Sequence, residues 1–155
     1  PWGDRLFCYH ASLDEFAEEI EDKYDLITCN PPFYKPSETE ESVSIERKMA
    51  RFYDALPFTD LLEYTSQLLA EKGHFNVIIP FSEEEDFLHL ASNYNLYPNQ
   101  ITHVHGNKSS PVKRSLINLS FDKTEVKKEK LILEKKRHEY TDEYLKMVKP
   151  FYLKL

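Results

Sequence analysis

Apolar residues along the chain follow two rhythms, and the switch between them marks the elements. Short runs rich in aliphatic and aromatic side chains predict strands at Arg5–Tyr9, Asp25–Cys29, His74–Pro80, Tyr97–Val104 and Ser115–Phe121, with Lys127–Glu134 a strand or an extended arm. Between them, apolar positions recur every three or four residues. Leu13, Phe16, Ala17 and Ile20 predict a helix over Asp14–Ile20. Leu61, Leu62, Thr65, Leu68 and Leu69 predict a second over Phe58–Ala70, with Thr59 or Asp60 as cap and Lys72-Gly73 as its close. Ser82 is placed to cap a third over Glu83–Tyr94, with Phe87, Leu88, Leu90 and Ala91 inward and acidic residues in the first turn. Thr141 is placed to cap a last helix within Tyr140–Leu155, with a stripe of Tyr144, Leu145 and Val148. Strands alternating with helices predict an α/β domain.

The stretch that organises the rest is Asp25-Leu26-Ile27-Thr28-Cys29-Asn30-Pro31-Pro32-Phe33-Tyr34. A proline after Asn30 forces that residue out of helical geometry. Pro31 and Pro32 have no N–H to give a neighbouring strand, so sheet pairing must stop there. The result is a stiff corner with carbonyl oxygens turned outward, the Asn30 amide at its root, and the rings of Phe33 and Tyr34 beside it. Rigid acceptors next to an aromatic plate suit a flat heterocycle with an exocyclic amino group, which is a nucleobase.

Lys35–Phe52 is polar and long for a structureless loop, and such loops are usually lids or disordered. Within it Ile45–Phe52 reads as a short helix with Arg47 and Arg51 on one face, either gripping phosphates or pairing with Glu41 and Glu46. Lys108–Arg114 connects the last two expected core strands; its Lys108, Lys113 and Arg114 are phosphate contacts or a solvated turn. His103 and His105 alternate on a strand. With no further ligand at a suggestive spacing they read as surface or packing histidines, and no metal is expected.

Composition narrows the picture. The 155 residues suit one domain, residues 1–155, with 41% hydrophobic and 30% charged side chains. No apolar run approaches the roughly 20 residues of a membrane helix, so no membrane partner is expected. Cys8 and Cys29 lie in apolar runs without ligand spacing and read as buried free thiols of a reducing cytoplasm. A net charge of −7 argues against indiscriminate binding to nucleic acid. Basic residues nevertheless gather at Arg47–Arg51, Lys108–Arg114 and Lys123–Arg137, which permits one basic face.

Asn30-Pro31-Pro32-Phe33 resembles the Asn/Asp-Pro-Pro-aromatic motif of S-adenosylmethionine-dependent amino-methyltransferases. Further residues are similar to the branch that methylates N6 of adenine 37 in tRNA1(Val). They are Arg47–Phe52, Gly73-His74-Phe75 before a strand ending at Pro80, Arg114 before Leu116-Ile117, and Tyr140–Tyr144 with Phe151-Tyr152-Leu153. The resemblance implies a Rossmann-like class I methyltransferase sheet, in a chain corresponding to its third to seventh strands. It implies S-adenosyl-L-methionine as cofactor of the full-length enzyme, with tRNA as substrate in the cytoplasm. Asn30, Pro31, Pro32 and Phe33 would be catalytic, and Ser12, Leu13 and Asn30 would border the cofactor. Tyr34, Arg47, Arg51, Lys113 and Arg114 would meet the substrate. The family usually has Asp where Ser12 stands, and a helix cap is an equal alternative for Ser12.

One departure shapes the expectation for the chain itself. Gly3, Gly73 and Gly106 are its only glycines, none in a G-x-G cluster, whereas the family cradles the methionine end of the cofactor with a Gly-rich turn. The chain therefore reads as a carboxyl-terminal part, inactive alone. The strand Asp25–Cys29 would be left with an unpaired edge, which Arg5–Tyr9 is expected to cover or a second copy to pair with. Methylation of DNA adenine or of a protein glutamine shares the motif, and a non-catalytic RNA-binding or assembly role is the alternative outside enzymes.

Overall fold

The computed structural model describes residues 3–32 and 56–152. Its frame is a parallel pair, β1 (Tyr24–Cys29) and β2 (Leu69–Pro80), joined by a crossover that includes α2 (Phe58–Leu68). Parallel neighbours require such a crossover because the chain must return to the same end of the sheet. A short α1 (Leu13–Glu19) precedes β1. After β2, a 3-10 turn at Phe81–Glu83 leads into α3 (Glu84–Ser92). A hairpin of β3 (Tyr97–Asn107) and β4 (Val112–Ser120) follows, then β5 (Lys127–Lys136), β6 (Glu139–Tyr140) and α4 (Asp142–Val148). The six strands lie in the order β1-β2-β4-β3-β5-β6. β4 is antiparallel to both its neighbours, and β5 runs parallel to β3.

Alternation decides which face is buried. Phe75, Val77 and Ile79 of β2 line up with Leu119, Ile117 and Ser115 of β4, and Ile101 and His103 of β3 continue the rows. The apolar members of this face join Leu61 and Leu62 of α2, Phe87 and Ala91 of α3, and Leu96 in one core. Phe58 meets Phe87 edge to face, with ring centroids 4.9 Å apart. Each of the larger buried side chains, the Leu, Ile, Val and Phe members, contributes about 1.5–3 kcal/mol relative to exposure. The opposite face carries His74, Asn76 and Ile78, Leu116 and Asn118, and Gln100 and Thr102, which line an open groove.

Most expected elements are found, and the differences have physical causes. Arg5–Tyr9 is not a strand: it pairs with no other strand, and Leu6, Phe7 and Tyr9 are 66%, 71% and 58% exposed. Tyr9 makes an edge contact with Phe16, ring centroids 5.1 Å apart. It therefore does not cover β1, which is hydrogen-bonded to β2 alone among the described strands. Cys8, carried in that segment, is exposed rather than buried. The cap at Ser82 is also corrected. Its hydroxyl donates to the Glu83 side chain at 3.0 Å, and the 3-10 turn takes the place of the expected first turn of α3. Thr141 does cap α4, accepting from the Tyr144 N–H at 3.2 Å.

α2 stops at Leu68, and Leu69 is already extended at φ −75°, ψ 134°. Lys72-Gly73 thus lies inside β2 and does not close the helix. Tyr24 faces Leu69 while Leu26 faces His74, so two steps along β1 match five along β2 and the excess chain must kink. Gly73 sits in that kink. A Cβ there would lie 2.8 Å from the Tyr24 carbonyl oxygen and 3.0 Å from that of Ala70. Backbone oxygens cannot swing aside as a side chain can. Gly73→Ala is therefore expected to destabilise the fold by about 1–3 kcal/mol, the range for overpacking. Gly106→Ala, whose nearest neighbour would be the Ser110 hydroxyl at 3.5 Å, is expected to be near neutral. Urea midpoints of the two variants check the contrast.

Candidate active site

β1 runs into the Pro-Pro corner, and its last residue, Cys29, pairs with Val77 of β2. Pro31 is buried, whereas Asn30 and Pro32 on either side of it are exposed. The corner is thus anchored through its middle residue, with the Asn30 amide left open. Ile27 and Cys29 pack against the core. By alternation Leu26, Thr28 and Asn30 belong to the opposite face, and all three line the groove. Phe33, Tyr34, Arg47 and Arg51 lie outside the described residues.

β2 stops at the same end of the sheet, at Pro80, which is opposite Arg114 of β4. Arg114 therefore lies two strands from Asn30, roughly 10 Å by strand spacing. Lys113 is the extra residue of a β-bulge: Val104 faces Arg114 while His105 faces Val112, so one step on β3 matches two on β4. Bulges re-aim side chains at sheet rims, and Lys113 is exposed here. The strand ends thus bring Asn30, Pro31, Pro32, Lys113 and Arg114 to one rim.

Ser12 and Leu13 are placed differently. The Ser12 backbone N–H and hydroxyl both donate to the Glu15 carboxylate, at 2.9 and 2.8 Å, as a residue starting a helix does. Those donations hold the Glu15 carboxyl below its ordinary value, and a Ser12 hydrogen bond does the same for Asp14. Leu13 packs against the core. Neither residue lines the groove that holds Asn30.

The groove contains residues that the sequence reasoning passed over. His74 Nδ1 is 3.2 Å from Asn118 Oδ1, and the Asn118 amide donates to Asn76 Oδ1 at 2.7 Å. Beyond them the Gln100 amide donates to Glu129 at 2.7 Å. Lys127 donates to Glu129 as well and holds that carboxyl below its ordinary value. A signal was present in the alternation, since His74, Asn76, Asn118, Gln100 and Thr102 all occupy every second position of apolar strands. The two histidines of β3 have separate partners: His103 meets Glu84 at 2.8 Å, and His105 meets the Ser110 carbonyl at 2.8 Å. Among the described residues no three His, Cys, Asp or Glu side chains come together in a way that could hold a metal. No described helix is long and apolar enough to cross a membrane.

Chemically, the rim offers an exposed amide that can both donate and accept, a rigid backbone turn, and cations two strands away. It offers no thiol nucleophile. Burial pushes the Cys29 thiol up from its ordinary value, so it is held in its neutral, unreactive form. Exposed Cys8 is therefore expected to react with iodoacetamide at neutral pH well before Cys29. Mass mapping of the native protein, against a urea-unfolded control in which both react, checks this.

No family model matches the chain. Curated relatives do, and each is named tRNA1(Val) (adenine(37)-N6)-methyltransferase. The protein of Christiangramia forsetii is 54% identical over 99% of this chain and 64% of its own length. That of Flavobacterium psychrophilum is 52% identical over 100% of this chain and 65% of its own length. That of Bacteroides fragilis is 36% identical, again over 100% and 65%. The chain thus spans about two thirds of the length of these relatives. Among solved structures, the M1.HpyAVI-SAM complex aligns with 80% of this chain and 65% of its own, at 9% identity and a TM-score of 0.47. The EcoKI M protein aligns with 90% of this chain and 32% of its own, at 15% identity and a TM-score of 0.43.

Proposed function

We propose, from its likeness to relatives of that name, that the chain belongs to the tRNA1(Val) (adenine(37)-N6)-methyltransferase family and carries the base-positioning half of an enzyme that methylates an adenine N6 in tRNA. The observation that supports this most directly is the corner itself. Asn30 is exposed at the end of β1, facing the groove, on a turn locked by the buried Pro31.

An adenine N6 amine is a poor nucleophile because its lone pair is delocalised into the ring. Two acceptors can change that. The Asn30 side-chain oxygen and the Pro31 carbonyl each accept one amino hydrogen, drawing the nitrogen toward tetrahedral geometry and freeing its lone pair. The same oxygens stabilise the positive charge that develops on nitrogen as a new bond forms. Because the prolines fix the turn beforehand, little reorganisation is needed at the moment of reaction, and such preorganisation is worth a few kcal/mol. Phe33 would stack on the extruded base, offsetting part of the few kcal/mol that unstacking costs. Tyr34, Arg47 and Arg51 are proposed as further substrate contacts on the segment that follows. Lys113 and Arg114 would meet tRNA phosphates from the same rim.

The methyl group would come from S-adenosyl-L-methionine, bound by the full-length protein in the cytoplasm. The described residues do not make a complete site for it. They contain no Gly-rich turn for its amino-acid end, and the Ser12 hydroxyl is committed to Glu15. Of the three cofactor contacts expected, Asn30 is the one that lines the groove. The open edge of β1 is, on this reading, where a second copy of an isolated chain would pair.

The test uses full-length protein, labelled cofactor, and tRNA, DNA or protein as acceptor. Label is expected in tRNA, and label appearing only in protein would overturn the proposal. Asn30→Ala is expected to lower the turnover by about 100-fold or more, with tRNA affinity largely kept.

A further inference from the structure

Beyond the corner, the same rim carries an aromatic ring whose surroundings are built with more care than the fold requires. Phe81 is 41% exposed, directly after Pro80 at the end of β2. Its ring meets the imidazole of His103 edge to face, centroids 5.1 Å apart and planes at 81°. His103 is itself fixed. Its Nε2 is 2.8 Å from Glu84 Oε2, and the same carboxylate accepts from the hydroxyl of Ser115, which is fully buried. Glu84 and His103 side chains are only 14% and 24% exposed. A carboxylate from the start of α3, a hydroxyl from β4 and an imidazole from β3 thus lock one another beneath a ring left partly in solvent.

Cations are carried by the strands on either side of His103. Lys130 of β5 is paired in register with His103, and Lys128 lies two residues before it with Ile101. Lys113 occupies the bulge beside Arg114. Lys113, Lys128 and Lys130 are exposed, and none forms an ion pair among the described residues, whereas Lys127, Lys135 and Lys136 nearby all do. A braced aromatic face with uncommitted positive charges beside it is the pairing that single-stranded nucleic acid binds: rings stack the bases and cations track the backbone. Phe81 follows β2, the neighbour of β1, and its ring partner His103 on β3 is three strand spacings from β1, roughly 14 Å. That places the ring within reach of a nucleotide a few positions from one held at Asn30.

We propose that Phe81, braced by His103 and flanked by Lys113 and Lys130, is a stacking subsite for an unpaired nucleotide flanking the target adenine in the substrate RNA. The subsite rests on the tRNA-methyltransferase reading and extends it to a second base. It would hold the strand between the ends of β2 and β3 while the target base is drawn to the corner.

The experiment measures binding of an unmodified tRNA anticodon stem-loop by fluorescence anisotropy, and methyl transfer to tRNA, in the full-length protein. Phe81→Leu is expected to weaken stem-loop binding about 5- to 30-fold, the loss of one base stack, with Phe81→Trp binding as wild type does. The loss should fall on KM, with kcat nearly kept. Lys130→Gln is expected to weaken binding and to reduce the slope of log affinity against log salt by about 0.7. Circular dichroism melts identify a variant whose fold is lost, and the leucine and tryptophan substitutions together separate stacking from bulk. If wild-type enzyme methylates tRNA and Phe81→Leu binds the stem-loop equally well, the subsite is wrong. A wild-type protein that transfers no methyl to tRNA would instead remove the reading on which it rests, and one that binds no stem-loop would remove the subsite.

Discussion

Three missing amide hydrogens decide where this sheet ends. Cys29 is opposite Val77, so the Pro31-Pro32 step of β1 and Pro80 of β2 fall at nearly the same height. Neither strand can carry its ladder past a residue without an N–H. Both therefore release the chain together, one into the corner and the other into the 3-10 turn that precedes α3. β4, running the other way, enters at that height with Arg114 opposite Pro80. The candidate chemistry collects at one rim because the backbone runs out of donors there. Open α/β sheets commonly bind ligands beyond the carboxyl ends of their strands, and here the sequence shows what fixes the position of that boundary.

The two faces of the sheet obey different rules. One is sealed by α2 and α3 through Phe75, Ile79, Leu61 and Phe87, each at most 2% exposed. The other presents a run of amides and an imidazole that satisfy each other across strands, His74 to Asn118 to Asn76. Polar side chains at a sheet face are tolerable when they pair. Leu26, 58% exposed on this second face, has no such compensation among the described residues.

Much of this was legible in the sequence because the relevant physics is local. The alternation in His74–Pro80 puts Phe75, Val77 and Ile79 inside without any knowledge of their neighbours. The Asn-Pro-Pro run announces a strand end by covalent structure alone, and Thr141 could be read as a cap from its position before an apolar stripe. What was not legible depends on partners. Arg5–Tyr9 has strand-like composition, yet a strand exists only where another backbone accepts it. Gly73 looks like a helix stop, and its actual reason is the Tyr24 carbonyl 2.8 Å from where its Cβ would be. Ser12 was balanced between two uses, and the carboxylate three residues on takes its hydroxyl. Phe81 went unnoticed because an aromatic after a strand usually means core; its partner His103 is 22 positions away in sequence. The bulge that exposes Lys113 likewise depends on the count of residues opposite it.

The placement of β4 between β2 and β3 carries a consequence for biosynthesis. Phe75 waits for Leu119 to complete its cross-strand pair, while β1 is already available on its other side. On a ribosome, the inner margin of β2 stays open until some forty further residues have emerged. Non-local pairing of this kind is slow and leaves a nascent intermediate vulnerable to association. The hairpin that closes it arrives as a unit, since its own two arms are neighbours in sequence. Among the described strands, vectorial synthesis thus makes β1 and β2 available before the strand that fits between β2 and β3, and adds β5 and β6 after it.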